Sequence, residues 1–168
     1  MKSIKNSIIF FILSTLTISC GGDDYFNLGV FQVKNGNYEK SIYFFTKAIE
    51  QNPNDSEAYF NRAYSQQKIG GKEEQIISDY SKSLELNPND YEAHMNRGIA
   101  YMKIQRYSEA IKDYEKSIDI KADYPIVYAN LGNVYKLKND NEKACLNWKK
   151  SLDMGNKEVL ERIKQNCK

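Results

Sequence analysis

The chain has 168 residues, of which 27% are charged and 41% are hydrophobic, with a formal net charge of +2 at pH 7. This length and composition are sufficient for one globular domain with a continuous apolar core, and they exclude a largely disordered chain. Lys2 and Lys5 account for the whole net charge, so the rest of the sequence is electrically balanced. Binding to nucleic acid through phosphates requires a basic surplus, and we therefore predict no nucleic-acid partner.

The N-terminal segment has the layout of a secretory signal. Lys2 and Lys5 form a positively charged start, and residues 7–18 are apolar or small without any charge. This apolar run is too short for a membrane-spanning helix, which needs about 20 residues. We therefore predict that residues 1–19 are a signal peptide that is removed from the mature protein.

The residues around Cys20 resemble the cleavage box of bacterial lipoproteins. Residues 17–20 are Thr-Ile-Ser-Cys; the small Ser19 before the cysteine fits the pattern, whereas Thr17 stands where leucine is usual. The resemblance implies that Cys20 becomes the first mature residue and carries a lipid such as palmitate. Residues 20–24 would then be a short tether to a membrane of the bacterial cell envelope. Two alternatives are a plain signal peptide with an incidental cysteine and an uncleaved anchor.

A repeated pattern organises the sequence after Cys20. An asparagine triplet recurs at intervals of 34, 35 and 34 residues, and a lysine triplet recurs with it. Such a period indicates stacked supersecondary units, and we predict four of them, at 22–55, 56–90, 91–124 and 125–158. The asparagine triplets are Asn27-Leu28-Gly29, Asn61-Arg62-Ala63, Asn96-Arg97-Gly98 and Asn130-Leu131-Gly132. The lysine triplets are Lys47-Ala48-Ile49, Lys82-Ser83-Leu84, Lys116-Ser117-Ile118 and Lys150-Ser151-Leu152.

Each unit contains two segments with helical periodicity. In the second segment of the third unit, Ala110, Ile111, Tyr114 and Ile118 form the apolar stripe of an amphipathic helix. Small residues recur in the first segments and large rings in the second, so we predict close helix pairs with rings between the hairpins. The small residues are Gly29, Ala63, Gly98 and Gly132, and the rings are Phe45, Tyr80, Tyr114 and Trp148.

These residues and their period resemble the tetratricopeptide repeat family, and the resemblance covers residues 22–158. It implies an all-α protein, an α-solenoid of four helical hairpins. A stack of this kind needs its last apolar face covered, and Leu160, Ile163 and Cys167 lie on one side of a helical pattern. We therefore predict a capping helix over residues 157–167.

Two cysteines lie near this cap. Cys145 is at the start of the last hairpin's second helix and Cys167 is at the end of the capping helix, with the turn near Gly155 about midway between them. An antiparallel helix pair brings such positions opposite each other, and an exported protein can keep a disulfide there. The alternative is two small buried thiols.

The resemblance also implies where a ligand would bind, because in this family the first helix of each unit lines the concave side. One asparagine per repeat falls on this surface, and an amide that both donates and accepts suits an extended peptide backbone. The alternative is that these asparagines hydrogen-bond neighbouring helices. The predicted groove residues are Asn27, Asn61, Asn96, Asn130, Phe26, Phe60, Met95, Val30, Tyr64, Ile99, Gln67, Met102 and Lys136, with Lys34, Lys68 and Lys103 near the edge.

No residue pattern indicates catalysis. The only histidine, His94, takes the position of Tyr25, Tyr59 and Tyr128 in the other units, so we expect it to pack as those rings do. A metal site or a nucleophilic triad needs several converging groups. We therefore predict no enzymatic activity, no cofactor, no metal and no small-molecule substrate.

The function that remains is protein binding. Some family members grip the C-terminal carboxylates of chaperones with Lys, Asn and Arg residues, but Phe26, Val30, Glu92 and Asn96 occupy those positions here. We therefore expect a scaffold that is lipid-anchored in the cell envelope and holds a protein or an extended peptide in its groove. The alternative is an accessory subunit of an envelope enzyme or of a secretion or assembly complex.

Overall fold

A computed structural model describes residues 22–167, and in this range every regular element is helical. The helices are α1 Gly22–Lys34, α2 Tyr38–Gln51, α3 Ser56–Lys68, α4 Glu73–Leu86, α5 Tyr91–Lys103, α6 Tyr107–Ile120, α7 Pro125–Leu137, α8 Asn141–Asp153 and α9 Leu160–Asn166, with a 3-10 turn at Lys157–Val159 before α9. The predicted all-α solenoid is confirmed. The predicted signal peptide and Cys20 lie outside the described residues.

The helices form four antiparallel hairpins stacked in chain order. Each helix packs against the helix before it and the helix after it, and α1 also contacts α3 as α5 contacts α7. The first helices of the hairpins therefore lie side by side and form one layer, with the second helices behind them. This layer is the surface on which the sequence places the groove.

Local residue choice explains where the helices begin and how the hairpins turn. Asp55, Asp90 and Asp140 accept hydrogen bonds from backbone amides in the first turns of α3, α5 and α8, which satisfies otherwise unpaired donors. The turn between α3 and α4 requires a left-handed residue, which is Gly70 at φ +70°, and Asn139 takes the same conformation between α7 and α8. The hairpin geometry is therefore encoded locally.

The four predicted rings are the centres of the core. Phe45, Tyr80, Tyr114 and Trp148 are at most 2% exposed. A Cβ atom on Gly132 would lie 2.5 Å from Cδ1 of Trp148 and 3.0 Å from the carbonyl oxygen of Ala144. Each ring therefore packs onto the small residue of its own hairpin as well as between hairpins.

The cap differs in detail from its predicted form. It begins as a 3-10 turn and continues as the short helix α9, and the residue that it buries completely is Val159. Leu160, predicted to face the core, is 37% exposed, while Ile163 and Cys167 pack against the cluster around Trp148. The turn at the start sets the rotation of the cap, and helical periodicity alone does not determine this rotation.

Cys145 on α8 and Cys167 after α9 are joined by a disulfide, with their Cα atoms 5.6 Å apart. The bond closes a segment with a sequence separation of 22. It links the cap to the last hairpin at the position that the sequence predicts. Within residues 22–167, no helix has the length and apolar character needed to cross a membrane.

We expect the disulfide to stabilise the folded chain by about 3 kcal/mol, because it restricts the unfolded chain. The measurement is urea unfolding of a Cys20→Ser variant, in which Cys145 and Cys167 are the only cysteines, with and without reductant. Adding Cys145→Ser and Cys167→Ser should reproduce the reduced curve. Two titratable thiols before reduction would show that the bond does not form.

Candidate peptide-binding groove

The structure brings part of the predicted groove into one cavity. Between α3 and α5 lies a cavity of about 350 Å³, whose lining includes five of the predicted residues. We call this the central cavity, and its lining residues are Phe60, Asn61, Tyr64, Glu92, Met95, Asn96 and Tyr124. Glu92 and Tyr124 were absent from the predicted groove, although the repeat register places Glu92 on the same helix face as Asn96.

Other predicted groove residues lie in two separate depressions. Asn27 lines an open, mostly apolar depression at the N-terminal end, together with Asp24, Leu28 and Phe31. Met102 and Lys136 line another at the C-terminal end, beside Leu137, Trp148 and the cap. The predicted groove residues are therefore divided among three recesses along the stack.

The asparagines differ from each other in their bonding. The Nδ2 group of Asn61 donates to the carbonyl oxygen of Glu57 in its own helix, at 2.8 Å. The Nδ2 atom of Asn130 is buried and has no hydrogen-bond partner within the described residues. The alternative to ligand binding was that these asparagines hydrogen-bond neighbouring helices. Within the described residues, neither Asn61 nor Asn130 makes such a bond.

Two aromatic residues connect the central cavity to the core. The ring of Phe60 meets that of Tyr80 edge-on, with centroids 5.6 Å apart. The hydroxyl of Tyr80 donates to Oε1 of Gln67 at 3.1 Å, so Gln67 is tied to its hairpin. Burial raises the pKa of Tyr80 far above its usual value, and this hydroxyl stays protonated. The floor of the cavity at Phe60 is therefore packed against the core of its own hairpin.

Charged groups of both signs lie along this surface. The Tyr91 hydroxyl donates to Oε1 of Glu92 at 3.0 Å, and Nζ of Lys121 donates to the same hydroxyl at 3.1 Å. Nζ of Lys68 lies 5.0 Å from the centroid of the Tyr64 ring. Lys103 forms an ion pair with Glu73 at 2.8 Å.

Two buried ion pairs hold the middle hairpins together. Arg62 donates through Nε and Nη2 to both carboxylate oxygens of Asp79, at 2.8 and 2.7 Å. Arg97 makes the same two bonds to Asp113, at 2.8 and 2.7 Å. The remaining Nη1 groups reach Thr46 and Ser81 on the preceding hairpins, so each arginine joins three successive helices.

The sequence did not predict these pairs, because aspartate is usually exposed and nothing in the helical pattern marks these two aspartates as buried. Asp79 is only 7% exposed and Asp113 only 4%. The available signal was the arginine in the second and third asparagine triplets, where the first and fourth units have Leu28 and Leu131. A charged residue at a position that is apolar in other repeats indicates a partner in the same unit.

His94 does not pack only as a ring, because it also contacts the ion pair between Arg97 and Asp113. Its Nδ1 lies 3.1 Å from Oδ1 of Asp113 and its Nε2 lies 3.1 Å from the carbonyl oxygen of Pro88. Both neighbours are acceptors, so both bonds are made only by the imidazolium form. Within residues 22–167, no group of histidine, cysteine and carboxylate side chains could hold a metal ion.

The ionisation of Asp113 depends on its partners. Burial alone would raise the pKa of this carboxyl, but the hydrogen bonds and positive charges of Arg97 and His94 outweigh burial and lower the pKa below its usual value. Because the folded-state pKa is lower than the unfolded one, this pair stabilises the fold above about pH 3.9. That contribution is lost as the pH falls through the folded-state pKa.

We expect Asp113→Asn to lower the free energy of unfolding at pH 7 by about 3 kcal/mol, because Arg97 and His94 lose the buried charge that pairs with them. The variant should also lose less stability than the unsubstituted chain when the pH is lowered from 5 to 2. Urea unfolding across this range measures both effects. Asp119→Asn, at an exposed position on the same helix, is the control, and an equal effect of the two substitutions would contradict the role of the pair.

Comparison with known proteins gives one family. Models of the tetratricopeptide repeat match residues 23–55, 44–77 and 80–112, and a TPR repeat model matches residues 100–139. No curated protein sequence matches the chain significantly.

Several solved structures share the fold. A MamA structure from Desulfovibrio magneticus RS-1 is 21% identical and covers 80% of this chain and 75% of that one, with a TM-score of 0.74. YrrB, described as a TPR protein with an unusual peptide-binding site, is 19% identical over 88% of this chain and 76% of its own, at a TM-score of 0.79. The first TPR of Spaghetti (RPAP3), bound to an HSP90 peptide, is 24% identical to this chain. The match covers 70% of this chain and 93% of that one, with a TM-score of 0.68. The repeat register, the stacked hairpins and the matched models together establish that the chain belongs to the tetratricopeptide repeat family.

Proposed function

We propose that the chain is a non-catalytic scaffold that holds an extended segment of another protein on the layer formed by α1, α3, α5 and α7. The central cavity is the observation that carries this proposal. It combines aromatic and methionine side chains with the amides of Asn61 and Asn96. Apolar walls with a few placed polar groups are the usual composition of polypeptide-binding surfaces.

Two structural neighbours support the same function. YrrB is described as having a peptide-binding site, and the RPAP3 domain is bound to an HSP90 peptide. Their identities to this chain are below 25%, so they support the use of this fold and not a particular ligand. The absence of the chaperone-binding residues at Phe26, Val30 and Glu92 argues for a different peptide.

The proposal includes anchoring through Cys20 at a membrane of the bacterial cell envelope. Its support is the lipoprotein-like sequence at residues 17–20 that follows an uncharged apolar segment. Helix α1 begins at Gly22, two residues after the proposed lipid attachment site. The N-terminal hairpin would therefore lie close to the membrane surface, while the groove continues away from it.

One observation favours the alternative of an accessory subunit. Leu28 and Phe31 on α1 are 42% and 57% exposed. In the fourth unit, Leu131 at the register of Leu28 is only 5% exposed, because a preceding hairpin covers it. A stoichiometric partner that covers the end of α1 would protect Leu28 and Phe31 from solvent. Crosslinking followed by purification separates the two functions, since only a permanent subunit is recovered at a fixed ratio.

We expect Asn61→Ala with Asn96→Ala to weaken capture of the partner by about tenfold or more, because each amide contributes about 1 kcal/mol of hydrogen bonding to the bound backbone. The helical circular dichroism should be unchanged. Asn147→Ala is the matched control, because Asn147 also donates to a carbonyl of its own helix but lies on α8. Undiminished capture by the double variant would contradict the groove assignment.

Lipid attachment is tested separately. Cells that express the chain should incorporate a radiolabelled fatty acid into it, and the protein should sediment with membranes. Cys20→Ser should abolish both, while Cys145→Ser with Cys167→Ser should leave the labelling intact. Labelling that persists in Cys20→Ser would overturn the anchor without affecting the proposal for the groove.

A further inference from the structure

We propose that the central cavity selects an arginine side chain of the bound segment, with Glu92 pairing with its guanidinium group. This inference rests on the proposed function, because it specifies what the groove recognises. The determining feature is a carboxylate in a cavity that is also lined by three aromatic rings and two asparagine amides.

Glu92 is held in place by its neighbour. The Tyr91 hydroxyl donates to Oε1 of Glu92 at 3.0 Å, and the Tyr91 ring packs against Tyr124 with centroids 5.1 Å apart. Within residues 22–167, no ion pair of 4.0 Å or less involves Glu92; Lys121 reaches the hydroxyl of Tyr91 instead. The carboxylate therefore keeps acceptor capacity on the side of the cavity.

The walls of the cavity favour a flat cation. Phe60, Tyr64 and Tyr124 line it, and aromatic faces attract guanidinium and ammonium groups within about 6 Å of the ring centroid. Two of these rings already attract cations of the chain in this way, since Lys68 lies over Tyr64 at 5.0 Å and Lys121 lies over Tyr124 at 5.5 Å.

The side-chain amide of Asn61 offers a second hydrogen-bond acceptor to a guanidinium group. One N–H of the Asn61 amide donates to the carbonyl oxygen of Glu57, and its Oδ1 can accept a hydrogen bond from a ligand. Guanidinium has five donors in a fixed plane and can satisfy a carboxylate and an amide oxygen together. A lysine ammonium has three donors at one point and matches this arrangement less well.

Other side chains are disfavoured for physical reasons. An apolar side chain would remove water from the carboxylate of Glu92 without replacing its hydrogen bonds, and an acidic one would add charge of the same sign. A guanidinium supplies both the charge and the donors. The cavity therefore discriminates by the cost of leaving the remaining acceptor sites of Glu92 without a donor.

The repeat supplies a matched control position. Glu57 occupies on α3 the register that Glu92 occupies on α5, but it is exposed and does not line the central cavity. On α7 the same register holds Ile126, which is 49% exposed. Among these three positions, only Glu92 combines a carboxylate with a place in the central cavity.

The experiment compares labelled extended peptides Gly-Ser-Ser-Xaa-Ser-Ser-Gly in which Xaa is arginine, its neutral isostere citrulline, or leucine. Binding to the full chain is followed through the backbone amide NMR signals of α3 and α5. We expect arginine to bind about tenfold more tightly than citrulline or leucine, as for a charge-assisted hydrogen bond. Glu92→Gln should remove this preference, and Glu57→Gln should keep it; thermal unfolding checks that both variants are folded.

Each outcome is decisive. Equal binding of arginine and citrulline, tighter binding of leucine, or a preference that survives Glu92→Gln would overturn the inference while leaving peptide binding in the groove intact. If no peptide perturbs the signals of α3 and α5, the inference is overturned as well. The proposed function is then judged separately by capture of the protein partner with the Asn61 and Asn96 variants.

Discussion

The close approach of the two helices in each hairpin is the constraint on which the rest of the molecule depends. A ring from the second helix lies against a residue of the first helix that has no side chain or only a methyl group, as with Trp148 against Gly132. This contact sets the spacing and rotation of the pair. Because the contact recurs in each unit, the hairpins have similar shapes and stack in one direction, which brings their first helices together as a binding surface.

The hairpins are not equivalent beyond this shared contact. In the two middle units, arginine stands where the other units have leucine, and it forms a buried pair with aspartate that also reaches the preceding hairpin. A buried pair of this kind adds little net stability compared with apolar packing, but its two parallel hydrogen bonds permit only one alignment. The middle of the stack therefore has a defined register, and the central cavity lies between the two helices, α3 and α5, that carry these arginines.

The arrangement separates stability from recognition. The rings, the small residues and the ion pairs occupy the interior of the hairpins, whereas Asn61, Asn96 and Glu92 face the cavity. Side chains of the second group can change without disturbing the core, because few structural contacts depend on them. This separation explains how a repeat scaffold can be adapted to a particular polypeptide while its fold remains the same.

The sequence by itself determined the class of the fold, the number of hairpins and the small-residue and ring positions, because these follow from periodicity and from local turn and capping chemistry. The register also identified Asn61, Asn96, Phe60, Tyr64 and Met95 as residues of one surface. Only the tertiary structure decided that Glu92 and Tyr124 complete the cavity, that Asp79 and Asp113 are buried, and that Val159 rather than Leu160 anchors the cap. These features depend on the rotation of each helix and on contacts between residues far apart in the chain. A linear pattern specifies which face of a helix a residue occupies, but it does not specify what lies opposite that face.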